Sequence, residues 1–477
     1  MFGEAASLPR RDQPEPRASF QRDLLQEAER TAEQKGVEGR ITPQPRKPKK
    51  KGGRRKTFPE HRPRARTTYE LPEEKRVCSC GSPLHKIGED VRKELERIEL
   101  ILVHEIACVK YGCRSCGEKV VTAPGPDRVI DRDFGKGILG NSFLSLVLAQ
   151  RFGKHMPYHR LEKKYAPGGL DRNRSVLQRS MTKISEIFTP IYDQLRKEVL
   201  ASDVIFTDDT PVTIASGPGG KSRTGRTWIT LDRNGRHFYD FTESRKRDGP
   251  ERILKGFRGL IQADAYPGYD QLFLPDGATE VAYWAHARRR FVEIERTDPE
   301  ISKEALGRIG ELYAIEKELK DADDSKRQHV RQEQAVPKLD ALRSWPQLQS
   351  ARVVPRSRAA NAIGYVQRQW DALAYYASDG RASIDNNPAE RALRPFAVGR
   401  KNWLFFQNDT GGTTAVILAS LLRTALAAGI NPLVYFRDLL MRISTCSYVT
   451  KLTPHGWKQH FMADIEAERE RLLASVL

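Results

Sequence analysis

The pattern of the middle of the chain constrains its fold most. Residues 203–284 contain short β-rich runs separated by turn signals, whereas the sequence from Ala285 onward is typical of helices. The runs 227–232 and 236–241 surround Arg233-Asn234-Gly235, which is a hairpin signal. The order strand, hairpin, helix, strand, strand and then helices predicts a mixed α/β sheet with a helical insertion late in the domain.

The boundaries of the other elements follow from apolar periodicity and turn residues. Residues 136–200 indicate helices joined by turns. Further strands are predicted at 203–206, 259–262 and 280–284, and further helices at 250–257, from Asp298-Pro299 onward, and at 360–378, 388–398, 413–428 and 432–443.

The charge of the chain points to a polyanionic partner. Lys and Arg number 81 against 62 Asp and Glu, a formal net charge of +19. Residues 46–66 hold 11 Lys or Arg and one Glu, so 11 − 1 = 10 of this excess lies there. We interpret this segment as an arm that neutralises nucleic-acid phosphates, or as a solvated linker, and the two are compatible. Residues 1–66 as a whole are predicted to be largely disordered.

The apolar segments do not predict a membrane protein. No run reaches about 18 uninterrupted apolar residues, and the longest candidate, 415–430, is interrupted by Arg423 and is interpreted as a core helix. The polar start, rich in Pro and Arg, is unlike a signal peptide. We therefore expect a cytoplasmic protein, associated with the nucleoid when bound to DNA, with no membrane partner.

Three acidic residues stand at the ends of predicted elements. Asp208 follows the run 203–206, Asp264 ends the run 259–262, and Glu390 lies in the first turn of a helix. Carboxylates at such positions are held on rigid scaffold, and they can bind the two divalent ions that phosphodiester cleavage and joining use. Spacing alone leaves alternatives open. An Asp after a strand is often a turn residue, and Glu390 fits a capping box on a helix capped by Asn387.

Five of the six cysteines lie between positions 78 and 116. Two knuckle-like pairs, each followed by Gly, suit one tetrahedral zinc ion, with four free thiols as the alternative. Cys108 is a fifth cysteine that could replace one ligand, and Cys446 is predicted to be a small buried residue. The predicted zinc ligands are Cys78, Cys80, Cys113 and Cys116.

A helix-turn-helix pattern precedes the β-rich region. A helical stretch at 155–165 is followed by Pro-Gly-Gly at 167–169, and a second helix begins near 173–175. In a DNA-binding helix-turn-helix, residues at the start of the second helix contact base edges or phosphate. Arg172, Arg174 and Gln178 are the candidates, although an ordinary helical hairpin has the same pattern.

Several ordered motifs resemble those of transposases of insertion-sequence family sixty-six, the TnpC type. The motifs are FTDDTPV at 206–212, LIQADAYPGY at 260–269, WAHARRRF at 284–291, IDNNPAERALRP at 384–395 and GRKNWLF at 399–405. The resemblance covers roughly residues 67–445. It implies a cut-and-paste DNA transposase with an RNase H-like DDE domain, a helical insertion before the last acid, and two Mg²⁺ or Mn²⁺ ions.

The resemblance also suggests roles for individual residues. Asp208, Asp264 and Glu390 correspond to the three catalytic acids, with Asp209 as a rival for the first. His286 matches the family histidine, which would contact the scissile phosphate or a metal-bound water, unless it only caps a helix. A zinc ribbon is implied for the cysteine-bearing unit. Arg391, Arg394, Arg400 and Lys401 flank Glu390 as candidate phosphate ligands.

The predicted organisation follows from these assignments. The partners implied are DNA, both element ends and target, a second copy in a synaptic complex, and accessory proteins of the element. A non-catalytic DNA-binding protein and a metal-dependent nuclease without strand joining are the alternatives. The predicted regions are a basic arm at 1–66, a zinc ribbon at 67–130, a helical DNA-binding region at 131–200, a catalytic domain at 201–296 and 381–425, its helical insertion at 297–380, and a C-terminal helical segment at 426–477.

Overall fold

The computed structural model describes residues 109–112, 120–122, 139–166, 174–215, 221–350 and 352–467. The basic arm, the five clustered cysteines and Arg172 lie outside the described residues. The described part of the predicted zinc ribbon is a short antiparallel pair, β1 (Lys110–Gly112) and β2 (Val120–Thr122). In the sequence, Cys113 and Cys116 fall between these two strands.

A five-stranded mixed sheet forms the centre of the described structure, with the strand order β5-β4-β3-β6-β7. Strands β3, β4 and β5 are antiparallel neighbours, whereas β6 and β7 run parallel to β3. The mixed α/β prediction is confirmed, and this sheet is consistent with the RNase H-like core that the resemblance implies. The strands are β3 (Val204–Ile214), β4 (Arg223–Asp232), β5 (His237–Thr242), β6 (Leu260–Gln262) and β7 (Thr279–Val281).

Strand β3 is longer than predicted. It pairs with β4 from Ile205 to Ile214, so Asp208 lies inside the strand, opposite Ile229, rather than after it. The polar run after Phe206 concealed this extension, because aliphatic side chains resume only at Val212. Strand β6 pairs only with the first residues of β3, ending at Phe206. Between that point and Ile214, which forms a single parallel bridge with Phe406, β3 has a free edge among the described residues. Pro211 lies in this stretch, where its missing N–H costs no ladder hydrogen bond.

Helices cover both faces and ends of this sheet, and most begin and end within a few residues of the prediction. The helices are α1 (Asn141–Leu148), α2 (Tyr158–Tyr165), α3 (Arg174–Leu200), α4 (Asp248–Leu254), α5 (Trp284–Val292), α6 (Pro299–Glu318), α7 (Asp324–Val330), α8 (Val336–Ser350), α9 (Arg358–Arg368), α10 (Trp370–Ala374), α11 (Asn387–Trp403), α12 (Asp409–Ala427), α13 (Pro432–Arg442) and α14 (Pro454–His460).

Two further boundaries were predicted wrongly. The predicted helix 360–378 is broken at Gln369, which leaves the helical conformation, and continues as α10 and a 3₁₀ turn. The predicted strand 280–284 ends at Val281, because Trp284 already begins α5. Cys446 is also more accessible than predicted, since it is only partly buried and its thiol lies 3.5 Å from the carbonyl oxygen of Tyr448.

Hydrogen bonds join the helical insertion to residues 376–382, which lead from the insertion back to the sheet. Arg331 is buried and forms a two-bonded ion pair with Glu316, at 2.8 and 2.7 Å. Its Nη1 also donates to the carbonyl oxygens of Tyr376, Asp379 and Ala382. A single buried guanidinium thereby orders the segment that leads from the insertion towards Glu390.

Helix α12 is long and apolar enough, by length and composition, to cross a membrane. In the protein, 67% of its apolar window is buried, and the helix packs against α3 and β5. Its hydroxyl groups accept hydrogen bonds from the edge strand, Ser420 from the Tyr239 N–H and Thr424 from the His237 N–H. The helix therefore covers an open sheet edge, as the prediction of a core helix requires.

Candidate active site

Asp208 and Asp264 occupy equivalent places on neighbouring parallel strands. In the register of β3 and β6, Phe206 pairs with Gln262. Asp208 and Asp264 each follow that last pair by two residues. Since the carboxyl ends of parallel strands meet at one edge of a sheet, the two aspartates lie side by side at the point where β3 continues without its neighbour.

Two buried amides hold the segment that carries Glu390 against these strands. The Asn386 side chain donates to the carbonyl oxygen of Thr207 at 3.0 Å. The Gln262 side chain accepts from the Ser383 N–H at 3.1 Å and donates to the carbonyl oxygens of Ser383 and Asp385. The residues just before α11 are thus bonded to both strands that lead to the aspartates.

Glu390 does not close a capping box. The N-cap of α11 is Asn386, not Asn387 as predicted, and its side chain forms no capping bond, although its amide nitrogen donates to Thr207. Glu390 is consequently the fourth helical residue, one beyond the capping-box position. Its carboxylate is partly exposed, with Oε1 4.0 Å from Nη2 of Arg289.

The pKa of Asp208 reflects the nearby charges of the other acids. Burial raises the pKa of Asp208 well above its usual value, and the charges of Asp264, Asp209 and, more weakly, Glu390 raise it further. The Asp209 backbone N–H, 2.7 Å from Asp208 Oδ1, opposes this rise in pKa. Burial first, and then Asp208, Asp264 and Glu390, likewise raise the pKa of the Tyr283 hydroxyl. The carboxylates of the three segments therefore lie within electrostatic range of one another.

Asp209 is balanced by arginines. Its buried carboxylate receives Arg226 Nη1 at 2.9 Å and Arg245 at 2.8 Å. Arg245 also reaches Asp264 Oδ2 at 3.1 Å, and its guanidinium lies 4.1 Å from the centre of the Tyr266 ring. The sequence analysis missed both arginines, because neither belongs to a motif and both reach Asp209 only through the folded sheet.

Comparison with known proteins matches the chain to one family. The family model described as "Transposase IS66 family" covers residues 136–414, which include all three acids. The chain belongs to the IS66 transposase family. An IS66 transposase domain of the DDE type implies DNA transposition, and the family generally uses divalent metal ions.

The IS66 relatives match along most of the chain. An uncharacterized protein of Sinorhizobium fredii, y4hP, is 30% identical over 442 residues, covering 86% of this chain and 78% of the relative. A second uncharacterized protein of the same organism, y4jD, is 29% identical, with 84% and 81% covered. Neither name states an activity, so the family model carries the functional assignment.

The donor set of this IS66 domain suits hard divalent cations. Within the described ranges, no three His, Cys, Asp or Glu side chains already stand close enough to hold one ion together. The donors available are carboxylate oxygens, the ligands that Mg²⁺ takes in proteins. Among the described residues, Asp208 forms no ion pair, whereas Asp209 and Asp264 contact arginines. The chemistry of these donors fits a divalent ion, which Asp208, Asp264 and Glu390 would hold.

His286 lies on α5 beside the acids. Its Nε2 is 3.4 Å from the Tyr283 hydroxyl, and the two rings are 4.6 Å apart. Since Tyr283 lies within electrostatic range of all three carboxylates, His286 is next to the candidate site. Arg289, one turn further along α5, approaches Glu390.

The candidate DNA-binding residues fall into two groups. Helices α2 and α3 occur where the helix-turn-helix was predicted, but α3 has 27 residues and is largely a core helix. Arg174 is exposed at its start, and the Gln178 amide lies 3.5 Å from Gln407. A cleft of about 460 Å³ opens there, lined by Ser175, Gln178, Arg179, Thr182, Lys183, Glu186 and Gln407.

The second group lies on α11. Arg391, Arg394 and Lys401 are exposed. Arg400 instead turns back onto β3, where its Nη1 donates to the Pro211 carbonyl oxygen at 2.7 Å and to Thr210 Oγ1 at 3.2 Å. Its position supports the free edge of β3 rather than an outward contact.

Proposed function

We propose that this IS66-family protein binds the ends of its own mobile element, cleaves them and joins them to target DNA, with Asp208, Asp264 and Glu390 as the catalytic metal ligands. One observation carries the proposal. The register of β3 and β6 puts Asp208 level with Asp264, and hydrogen bonds of Asn386 and Gln262 hold the segment before Glu390 against both strands. Burial and the charges of Asp264 and Glu390 accordingly raise the pKa of Asp208. The neighbouring Asp209 is already neutralised by Arg226 and Arg245, so we assign the first acid to Asp208.

The chain's own residues prepare this site. Two Mg²⁺ or Mn²⁺ ions bound there would activate the attacking oxygen and stabilise the leaving oxygen. Asn386 and Gln262 position the segment before Glu390, and Arg245 holds one oxygen of Asp264. His286, next to Tyr283, is assigned a contact to the scissile phosphate or to a bound water.

Outside the catalytic residues, the proposal assigns DNA contacts to the exposed basic side chains. Arg174, Gln178, Arg391, Arg394 and Lys401 are accessible for such contacts, and Arg172 and the arm at 46–66 are included from the sequence. Cys78, Cys80, Cys113 and Cys116 are proposed to hold one structural zinc ion. We also propose that the catalytic domain has an RNase H-like core, that the protein self-associates in a synaptic complex, and that accessory proteins of the element take part.

A strand-transfer assay tests this function. Purified protein is incubated with Mg²⁺, labelled duplexes that carry the terminal sequences of the element, and a plasmid target. Joined products are expected from a transposase. Cleavage without joining would support a nuclease, and binding without cleavage would support a catalytically inactive DNA-binding protein, so either outcome would contradict the proposal.

A further inference from the structure

The turn that follows α11 pushes two apolar side chains into solvent. Leu404 has a φ of 65° and a ψ of −49°, and the Phe405 N–H donates to the Trp403 carbonyl oxygen at 2.8 Å. This is a γ-turn of the rare, strained kind, costly for a residue with a branched side chain. Leu404 is 64% exposed and Phe405 46% exposed.

The residues on either side fix this turn in place. The rings of Trp403 and Phe406 stack at 4.6 Å, and Phe406 is buried. The Phe406 N–H donates to the Thr213 carbonyl oxygen, and the Phe406 carbonyl oxygen accepts from the Ala215 N–H, both at 2.9 Å. The strained turn is therefore fixed by its flanking residues, and the side chains of Leu404 and Phe405 point into solvent.

The surface around this turn is basic. Helix α11 runs from Glu390 to the turn and carries the exposed residues Arg391, Arg394 and Lys401. The cleft next to Gln407 is lined by Arg179, Lys183 and Glu186, and because Lys183 pairs with Glu186 at 3.2 Å, its net positive charge comes from Arg179. Positive charges around an apolar tip are complementary to duplex DNA, because the charges can contact the phosphates while the tip contacts the stacked bases. A protein groove would match the charges less well.

We propose that Leu404 and Phe405 form an apolar wedge that inserts into a base step of duplex DNA lying along α11. The proposal rests on the proposed function, because Glu390 at the start of α11 marks the catalytic end of the DNA. From Glu390 to Leu404 the helix spans roughly 20 Å, which corresponds to about six base pairs of duplex. Leu and Phe side chains inserted between base steps partly unstack them and kink the helix.

Binding of a short duplex of arbitrary sequence, with and without a central mismatch, tests the wedge. A mismatched step is already partly unstacked, so the wild-type protein should bind it more tightly, by roughly tenfold. Phe405→Ala and Leu404→Gly should bring this ratio close to one, and the glycine also relieves the positive φ. Neither change removes a charge, so the slope of log affinity against log salt should not change.

The controls separate this inference from the proposed function. Leu348→Ala alters a leucine of similar exposure, 67%, on α8 and should keep the wild-type ratio. Asp208→Asn should abolish strand joining yet also keep the ratio. A wild-type protein that joins strands but binds both duplexes equally would overturn the wedge and leave the proposed function standing.

A second copy of the chain is the other occupant that such a surface could have. Sedimentation of the Phe405→Ala protein distinguishes it. An unchanged oligomeric state with a lost mismatch preference supports the wedge. Dissociation of an oligomer with an unchanged preference would show that the turn contacts another copy, and would overturn the proposal.

Discussion

The side-chain amide of Asn386 donates a 3.0 Å hydrogen bond to the carbonyl oxygen of Thr207. Both residues are buried, and each is close in sequence to a proposed metal ligand, Asn386 to Glu390 and Thr207 to Asp208. The two residues are 179 positions apart in the sequence. The distance between the two proposed metal ligands therefore depends on an amide that bears no catalytic chemistry, together with the Gln262 amide on the neighbouring strand.

Replacing this amide should damage both stability and activity. Asn386→Ala removes a buried hydrogen bond and leaves the Thr207 carbonyl without this donor, so we expect a loss of about 1–3 kcal/mol in the free energy of unfolding. Denaturant titration measures it. Asn361→Ala, at an exposed position on α9, should stay within about 0.5 kcal/mol of wild type. Equal stabilities for the two variants would contradict the role given to Asn386.

The Gln262 side chain, on the neighbouring strand, should keep residues 383–387 ordered. Gln262→Glu keeps an acceptor for the Ser383 N–H but loses the donor to the carbonyl oxygens of Ser383 and Asp385. We expect faster amide hydrogen exchange at residues 383–387, with little change in β4 and β5. Unchanged exchange at 383–387 would show that the loop is held without this amide.

In the metal-free protein, replacing Asp209 by Asn should lower the stability, whereas replacing Asp208 by Asn should raise it. Asp209→Asn removes the anion that Arg226 contacts and leaves Arg245 with Asp264 as its anionic partner. The change should cost about 1.5–3 kcal/mol. Asp208→Asn removes a charge that burial and neighbouring carboxylates disfavour, and should raise the melting temperature. A melting temperature lowered by both substitutions would contradict the assignment of Asp208 as the uncompensated acid.

The gain from Asp208→Asn should depend on pH. The pKa of Asp208 is higher in the folded protein than in the unfolded chain, so the ionised carboxylate lowers the stability at pH values above the folded-state pKa. This loss of stability disappears as the pH falls towards the usual pKa of an aspartate. The difference in melting temperature between Asp208→Asn and wild type should therefore be larger at alkaline pH and shrink in acid. Thermal melts with a chelator, across a pH series, measure it.

Divalent ions should stabilise the folded protein through the same carboxylates. Because Mg²⁺ or Mn²⁺ would bind only the folded state, the stability gain should grow with concentration, reaching about 2.7 kcal/mol at a hundred times the dissociation constant. Asp264→Asn should lose most of this gain, whereas Glu293→Gln, at an exposed position after α5, should retain it. An equal gain in both variants would place the ion elsewhere.

The mixed sheet could be predicted from the sequence because its strands lie in local patterns, whereas the three acids were proposed through motifs that resemble those of the family. The runs around Asp208 and Asp264 are β-rich, and Glu390 follows an Asn-Pro helix start. The full length of β3 could not be predicted, since its polar stretch is stabilised by pairing with β4. The ion pairs of Asp209 and the bonds of Gln262 and Asn386 join residues far apart in sequence, so no local pattern encodes them.

Single-turnover strand joining by Glu390→Gln, with saturating DNA and Mg²⁺, tests the central claim most directly. Substitution of an outer-shell partner of a metal ligand typically costs about 10–100-fold. For Glu390 as a ligand we predict a loss of more than about 100-fold, equal to the losses in Asp208→Asn and Asp264→Asn, and near-normal joining by Glu293→Gln. Joining by Glu390→Gln at the rate of Glu293→Gln, with both aspartate variants inactive, would contradict the three-carboxylate site.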